Sequence, residues 1–201
     1  MVASLRSKES TGTPVESLVG TTGTPKFDFG DFFHGHTKAS GWFSDRFGKP
    51  RRHFCGDFYG SYEDGCFRLD ETLFYTDGIQ EHRVWDVNVT DSGVFTGKSD
   101  SMIGDAHGRI VGDTLRMRYK MKIMIEEGKF WDLDMKDMMI LQPDGSLHNI
   151  THVYKWGVRI GTVSTQFHHY DGKSGNGESS VLELSSTDRR ASYPPLSSVG
   201  S

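Results

Sequence analysis

Cysteine is almost absent from this chain: Cys55 and Cys66 are the only two among 201 residues. Two thiols cannot build a disulfide scaffold or a four-cysteine zinc site. Two free thiols are the expectation, with one bridge between them as the alternative. Long apolar runs are missing too: no stretch approaches the roughly 18 uninterrupted apolar residues of a spanning helix, which excludes a helical membrane span. Positive charge is not in excess, since 23 Lys and Arg stand against 27 Asp and Glu for a net charge of -4. Nothing then draws the chain to a phosphate backbone, and nucleic acid is not an expected partner. Catalytic signatures are lacking as well. There is no glycine-rich phosphate loop, no HExxH pair and no serine nucleophile elbow. No cofactor is expected. The opening MVASLRSKESTGTP has no apolar signal run, and Glu9 and Glu16 stand where transit peptides are poor in acids, which predicts a cytoplasmic location.

What is present divides into three parts. Residues 1–26 and 171–201 are rich in Ser, Thr and Gly, with hardly an aromatic in the first, and both are expected to be disordered tails. The second contains Arg189-Arg190-Ala191-Ser192, a triplet-plus-serine of the kind basic-directed kinases use, although a solvated tail is the simpler reading. Between them, residues 27–170 alternate oily and polar positions in short segments separated by Asp-Gly and similar pairs. Leu115, Met117, Tyr119, Met121, Ile123 and Ile125 alternate with Arg116, Arg118, Lys120 and Lys122. Period two puts every cation on one face and every oily side chain on the other. The same pattern recurs in RVWDVNV and from Trp131 to Leu141. It predicts an all-β domain of about nine or ten antiparallel strands, with one short helical turn near Phe27 to His34. Such strands close into a barrel or stack as a sandwich. Short hairpin links favour a single up-and-down barrel over the longer crossings of a sandwich.

LDETLFYTDG carries the anomaly, because Glu71 shares a face with Leu69, Leu73 and Tyr75. A two-residue turn at Asp77-Gly78 would set Leu73 opposite His82 and Glu71 opposite Val84. A loop at Thr76-Asp77-Gly78 with Gly78 left-handed is read as pairing Leu73 with Arg83 and Glu71 with Trp85. This second register keeps Trp85, Val87 and Val89 on the oily face and brings Arg83 inside. Asp137 is likewise inward, between Met135 and Met139. An unpaired buried charge costs several kcal/mol, so each must find a partner, protonate or meet water. The bland outcome is a polar network that fixes strand register and nothing more. The functional one is a cavity in which these groups orient a ligand or exchange a proton with it.

GWFSDRFGKPRRHF, LDETLFYTDG, HRVWDV, FTGKSDSMIGDAHGRIVGDTLRMRY and WGVRIG, in that order, resemble an uncharacterised, mainly bacterial family of lipocalin-like proteins catalogued only as a domain of unknown function. The likeness covers roughly Phe27 to His169. It implies a lipocalin-like antiparallel barrel and no particular activity. The family's aromatic-Asp-Arg segment falls on Gly41, Trp42, Asp45, Arg46 and Gly48, and its Leu-x-Glu strand on Glu71. Its Arg-Val-Trp falls on Arg83, Val84 and Trp85, and its Thr-Gly region on Thr96, Gly97 and Asp100, followed by Gly104 and Gly108. Family members commonly open with a lipoprotein signal, which the opening residues here do not lead one to expect. The chain also reads Lys136-Asp137-Met138-Met139 where the family tends to show Asp-Asp-Trp-Met.

Other constellations compete less well. His34 with His36, and His168 with His169, invite a metal, yet a site needs three or four convergent ligands and strand pairing does not bring these ends together. Lys49-Pro50-Arg51-Arg52-His53 beside Trp42, Phe43 and Phe47, and the row Arg116, Arg118, Lys120, Lys122, read as solvated exterior charge. The leading expectation is a barrel that holds a small apolar or amphipathic molecule. Trp85, Leu115, Met117, Tyr119, Met121, Trp131 and Met139 would form its walls, with Glu71 and Arg83 at the ligand's polar end. A second is a cavity enzyme for isomerisation, cyclisation or hydration, with Glu71 and Asp137 as acid and base and Tyr119 as a donor. A third is a structural or adaptor role using the basic face and the tails.

Overall fold

Period-two alternation from Leu115 to Ile125 is realised as one strand of a single closed sheet. A computed structural model describes residues 26–126, 128–170 and 172. The expected tails, with the Arg189 to Ser192 stretch, lie outside the described residues apart from Lys26 and Gly172. The elements are α1 (Phe29–Phe33), β1 (Gly35–Asp45), β2 (Pro50–Glu63), β3 (Cys66–Tyr75), β4 (Gln80–Val89), β5 (Val94–Lys98), β6 (Ala106–Val111), β7 (Thr114–Glu126), β8 (Lys129–Leu141), β9 (Leu147–Lys155) and β10 (Val158–His169). Each strand pairs antiparallel with its sequence neighbour, and β10 closes on β1, Ala39 facing Phe167. Closure gives every strand a neighbour on both sides, which a sandwich would not achieve, although the short β5 and β6 leave the mouth-side halves of β4 and β7 without a full ladder between them. The expected up-and-down barrel is the fold.

Turn ends sort the barrel into a floor and a mouth. The turns after β2, β4, β6 and β8 lie at the floor, together with α1, and those after β1, β3, β7 and β9 form the mouth. Register shifts at Phe43/Ser44, Met124/Glu126 and Arg159/Gly161 all fall toward the mouth, where bulges bend strands at a barrel rim.

Five residues of helix have little stability of their own, so α1 is held by what it packs against. Asp28 caps it, accepting a hydrogen bond from the Asp31 N–H at 3.0 Å. Phe27 N–H bonds to the Gly112 carbonyl at 2.9 Å, tying the approach to the β6–β7 turn. Phe29 meets Phe67 and Phe95 with ring centroids 5.8 and 5.3 Å away, and Phe33 meets Phe167 at 5.4 Å, all edge to face. These rings stopper the lower end of the barrel. Gly60 on β2 permits the close approach: a Cβ there would stand 2.0 Å from the Phe33 carbonyl oxygen.

Candidate functional site

Barrel diameter grows with strand number, and an eight-stranded barrel has room for little beyond its own side chains or one small ligand. Among the described residues, ten strands plugged at the floor by α1 leave a cavity of about 460 Å³ above Phe29 and Phe33. Of the residues picked from the sequence, Trp85, Met117, Tyr119, Met121, Trp131 and Met139 line it, as do Glu71, Arg83 and Asp137. Leu115 does not. It is fully buried beside the β6–β7 turn, facing Ile110 and Met139 across the strands, at the depth where the segment leading into α1 fills the barrel.

The β3–β4 hairpin corrects the expected register. Its loop is Thr76-Asp77-Gly78, with Gly78 left-handed at φ 86°, but Tyr75 N–H bonds to the Ile79 carbonyl, so Glu71 pairs with Arg83 and Leu73 with Glu81. A loop confined to those residues places Tyr75 opposite Ile79, and counting back from that pair gives this register. The inward face is unchanged, since the correction is an even number of residues. Arg83 therefore lies directly across from Glu71. Its Nη1 donates to Glu71 Oε1 at 3.0 Å, and Trp85 Nε1 donates to Oε2 at 3.0 Å. Nη2 of Arg83 donates in turn to Glu81, which also accepts from the Tyr75 hydroxyl at 3.1 Å. One guanidinium is shared by two carboxylates.

Burial raises Glu71 above the ordinary carboxyl range, although the Arg83 charge and the Trp85 hydrogen bond oppose it. Burial also opposes the charge on Arg83, but Glu71 and Glu81 outweigh it and hold the guanidinium above its ordinary value. Buried among them, the Tyr75 phenol is raised too, with Glu81 adding to the effect.

Across the cavity, β8 presents Asp137. Its Oδ2 accepts from the Tyr119 hydroxyl at 3.1 Å and from Asn149 Nδ2 at 3.3 Å, and Asn149 Nδ2 also reaches Thr151 Oγ1 at 3.2 Å. Burial pushes Asp137 up to about 6, against nearby Thr151, Asn149 and Tyr119, which favour its charged form. Thr151 nevertheless makes no hydrogen bond of proper geometry to Oδ1. Asp137 Oδ1 and Asn149 Oδ1 are buried acceptors without a hydrogen-bond donor among the described residues. Burial and the Asp137 charge place the Tyr119 phenol well above its ordinary value. Trp85 and Tyr119, on strands β4 and β7, meet edge to face with centroids 5.5 Å apart. The contact is possible because β5 and β6 are short and leave the upper wall to the β5–β6 loop, where Met102 bridges to Met121.

Cations near the mouth are engaged. Arg52 Nε stands 2.7 Å from Asp77 and its guanidinium lies 3.5 Å over the Tyr75 ring, while Lys155 Nζ sits 3.0 Å above the Trp131 ring. Asp45, one of the residues carrying the family likeness, acts as a turn clamp. It accepts from the Phe47 and Lys49 N–H groups and pairs with Arg51 at 2.7 Å. Arg116, Arg118, Lys120 and Lys122 are exposed on the outer face. Sequence reasoning missed Glu81, Asn149 and Thr151. Glu81 was within reach, since it stands two residues before Arg83 on the same strand.

The histidine pairs do not converge. His36 bonds to Asp57 at 2.7 Å and His169 packs on Phe32, and among the described residues no group of three His, Cys, Asp or Glu is arranged to hold a metal. Cys55 and Cys66 are free. Among the described residues no helix is long and apolar enough to cross a membrane. No curated protein matches the chain. The family described as "protein of unknown function (DUF3833)" matches residues 15–169, most of the chain, and the protein belongs to it.

Proposed function

We propose that this barrel is a lipocalin-like binding protein that holds one small apolar or amphipathic molecule inside. The observation that carries the reading is a cavity of about 460 Å³, within the range of small-molecule sites, walled by methionines and aromatics and equipped with buried polar groups on two sides. A barrel meant only to be solid would fill this space, as interiors normally pack without voids. The four methionines at its wall, Met117, Met121, Met135 and Met139, can adjust to the shape of an occupant. Mass spectrometry of organic extracts from the purified chain should show an apolar species that buffer controls lack. The environment-sensitive neutral dye N-phenyl-1-naphthylamine should brighten on mixing with stripped protein. If no species copurifies and the dye stays dark, the reading is wrong.

Catalysis in the same cavity is the second reading. It is favoured by Asp137, pushed up to about 6 and hydrogen-bonded to Tyr119, a setting suited to accepting and returning a proton near neutral pH. If the site turns over a substrate, Asp137→Asn should abolish the pH-dependent limb of the rate. Unchanged turnover would remove Asp137 from that role.

A further inference from the structure

The arrangement of charge inside the barrel sets the kind of polar head it can accept, an inference that rests on the cavity-binding reading. Three carboxyl groups belong to the cluster, Glu71, Glu81 and Asp137, of which Glu81 stands behind Arg83 instead of lining the cavity. Arg83 is the only cation at this depth among the described residues, and its two terminal nitrogens already donate to carboxylates, Nη1 to Glu71 and Nη2 to Glu81. At the mouth, Arg52 is held by Asp77 and Lys155 lies on the Trp131 ring. A carboxylate head entering from the mouth would meet a guanidinium whose charge two carboxylates already match, and would face a net negative interior. Like charges brought together without water cost several kcal/mol.

The vacant groups point the other way. Asp137 Oδ1 and Asn149 Oδ1 are acceptors, buried, beside one another on paired strands and without donors, while their sister atoms are satisfied. Buried acceptors in a native protein are almost always paired, so a group that supplies hydrogens is the missing partner. Tyr119 already spends its hydroxyl hydrogen on Asp137 Oδ2, and Trp85 its N–H on Glu71. With those two hydrogens engaged, the buried oxygens of Asp137 and Asn149 are the unsatisfied groups of the cavity, although the Thr151 hydroxyl beside them keeps its hydrogen.

We infer that the barrel selects amphiphiles whose head donates hydrogen bonds, an amine or an alcohol, and discriminates against carboxylic acids, with the head seated at Asp137 Oδ1 and Asn149 Oδ1. The apolar tail then lies against the methionines and Phe29 above the floor.

Displacement of N-phenyl-1-naphthylamine from the stripped full chain tests this, using a straight-chain amine, alcohol and carboxylic acid of one chain length at pH 7.5. The amine and the alcohol should displace the dye at concentrations at least about ten-fold lower than the acid. In Asp137→Asn the amine's advantage over the acid should shrink by at least about three-fold, because the charge that favours a cation and repels an anion is gone. Equal or better displacement by the acid overturns the inference, as does bound dye that neither the amine nor the alcohol displaces. An unchanged ratio in Asp137→Asn overturns the placement of the head. A dye that never enters defeats the cavity reading itself, an outcome distinct from the other three.

Discussion

Arg83 stands directly across the β3–β4 pair from Glu71, and a second carboxylate, Glu81, grips the other arm of the same guanidinium. The charge of one residue is the condition under which Glu71 stays buried and Glu81 half-buried. Removing the cation should therefore cost more than removing one anion.

Arg83→Met is expected to destabilise the barrel by about 3–5 kcal/mol at neutral pH, because it leaves both carboxylates without a counter-charge. Glu71→Leu leaves Arg83 with Glu81 and mainly orphans the Trp85 N–H, a loss of about 1–3 kcal/mol. Urea denaturation of the two variants compares them. The deficit of Arg83→Met should also shrink toward pH 5, as the stranded Glu71, already raised by burial, takes up a proton. A larger loss in Glu71→Leu would contradict the shared-cation account.

Asp137 gives a pH dependence of opposite sign to that of ordinary acid denaturation. Its folded value, about 6, lies above the usual 3.8, so between roughly pH 4 and 6 the folded protein holds a proton that the unfolded chain releases. Stability from this group is complete below that window and is lost as the pH rises through it. Asp137→Asn should erase the slope, gaining on the order of 2–3 kcal/mol over the parent between pH 4 and pH 7. Asp45 behaves conversely. Burial opposes its charge, but Arg51 and the turn N–H groups outweigh that and lower it, so its contribution is present above its ordinary value and lost as the pH falls. Parallel pH–stability curves for Asp137→Asn and its parent would refute the assignment.

Tyr119 and Tyr75 should be silent in an alkaline titration. Burial raises both phenols, so tyrosinate absorbance from these two should appear only when the barrel unfolds. Tyr119→Phe removes a hydrogen bond that favours the Asp137 carboxylate, and NMR of the Asp137 side chain should show its titration moving upward from about 6. A downward shift would mean that the hydroxyl does not serve the carboxylate.

Gly60→Ala tests the floor. The added methyl would stand 2.0 Å from the Phe33 carbonyl, against backbone that cannot yield cheaply. A cost of about 1–3 kcal/mol is expected, together with loss of protection at the α1 amides in hydrogen exchange. A neutral substitution would show that α1 is not seated as described.

Several features could be read before any coordinates. Alternation along β3, β4, β7 and β8 told which residues point inward, including Glu71, Arg83 and Asp137, because side chains on a strand change sides at each step. The left-handed glycine at position 78 was legible for a similar reason, as a loop of that length needs positive φ there. The pairing across the loop was misjudged by an even number of residues, which preserves the face but exchanges Trp85 for Arg83 as the partner of Glu71. Alternation reports side and not depth, so Leu115 looked like cavity wall when it lies below the cavity. On β9, Asn149 and Thr151 interrupt the inward row of Leu147 and Val153, and a mixed face of that kind carries no plain signal.

Local chemistry alone thus determined the strands, their two faces and the presence of acids on the dry one, since each depends on neighbours one to four residues apart. Closure decided the rest. Trp85 meets Tyr119, and Glu71 adds its charge to the burial of Asp137, only because the chain bends into a ring that brings β3 and β4 opposite β7 and β8. Which acceptors are left without donors depends on every strand at once, and no stretch of sequence contains that information.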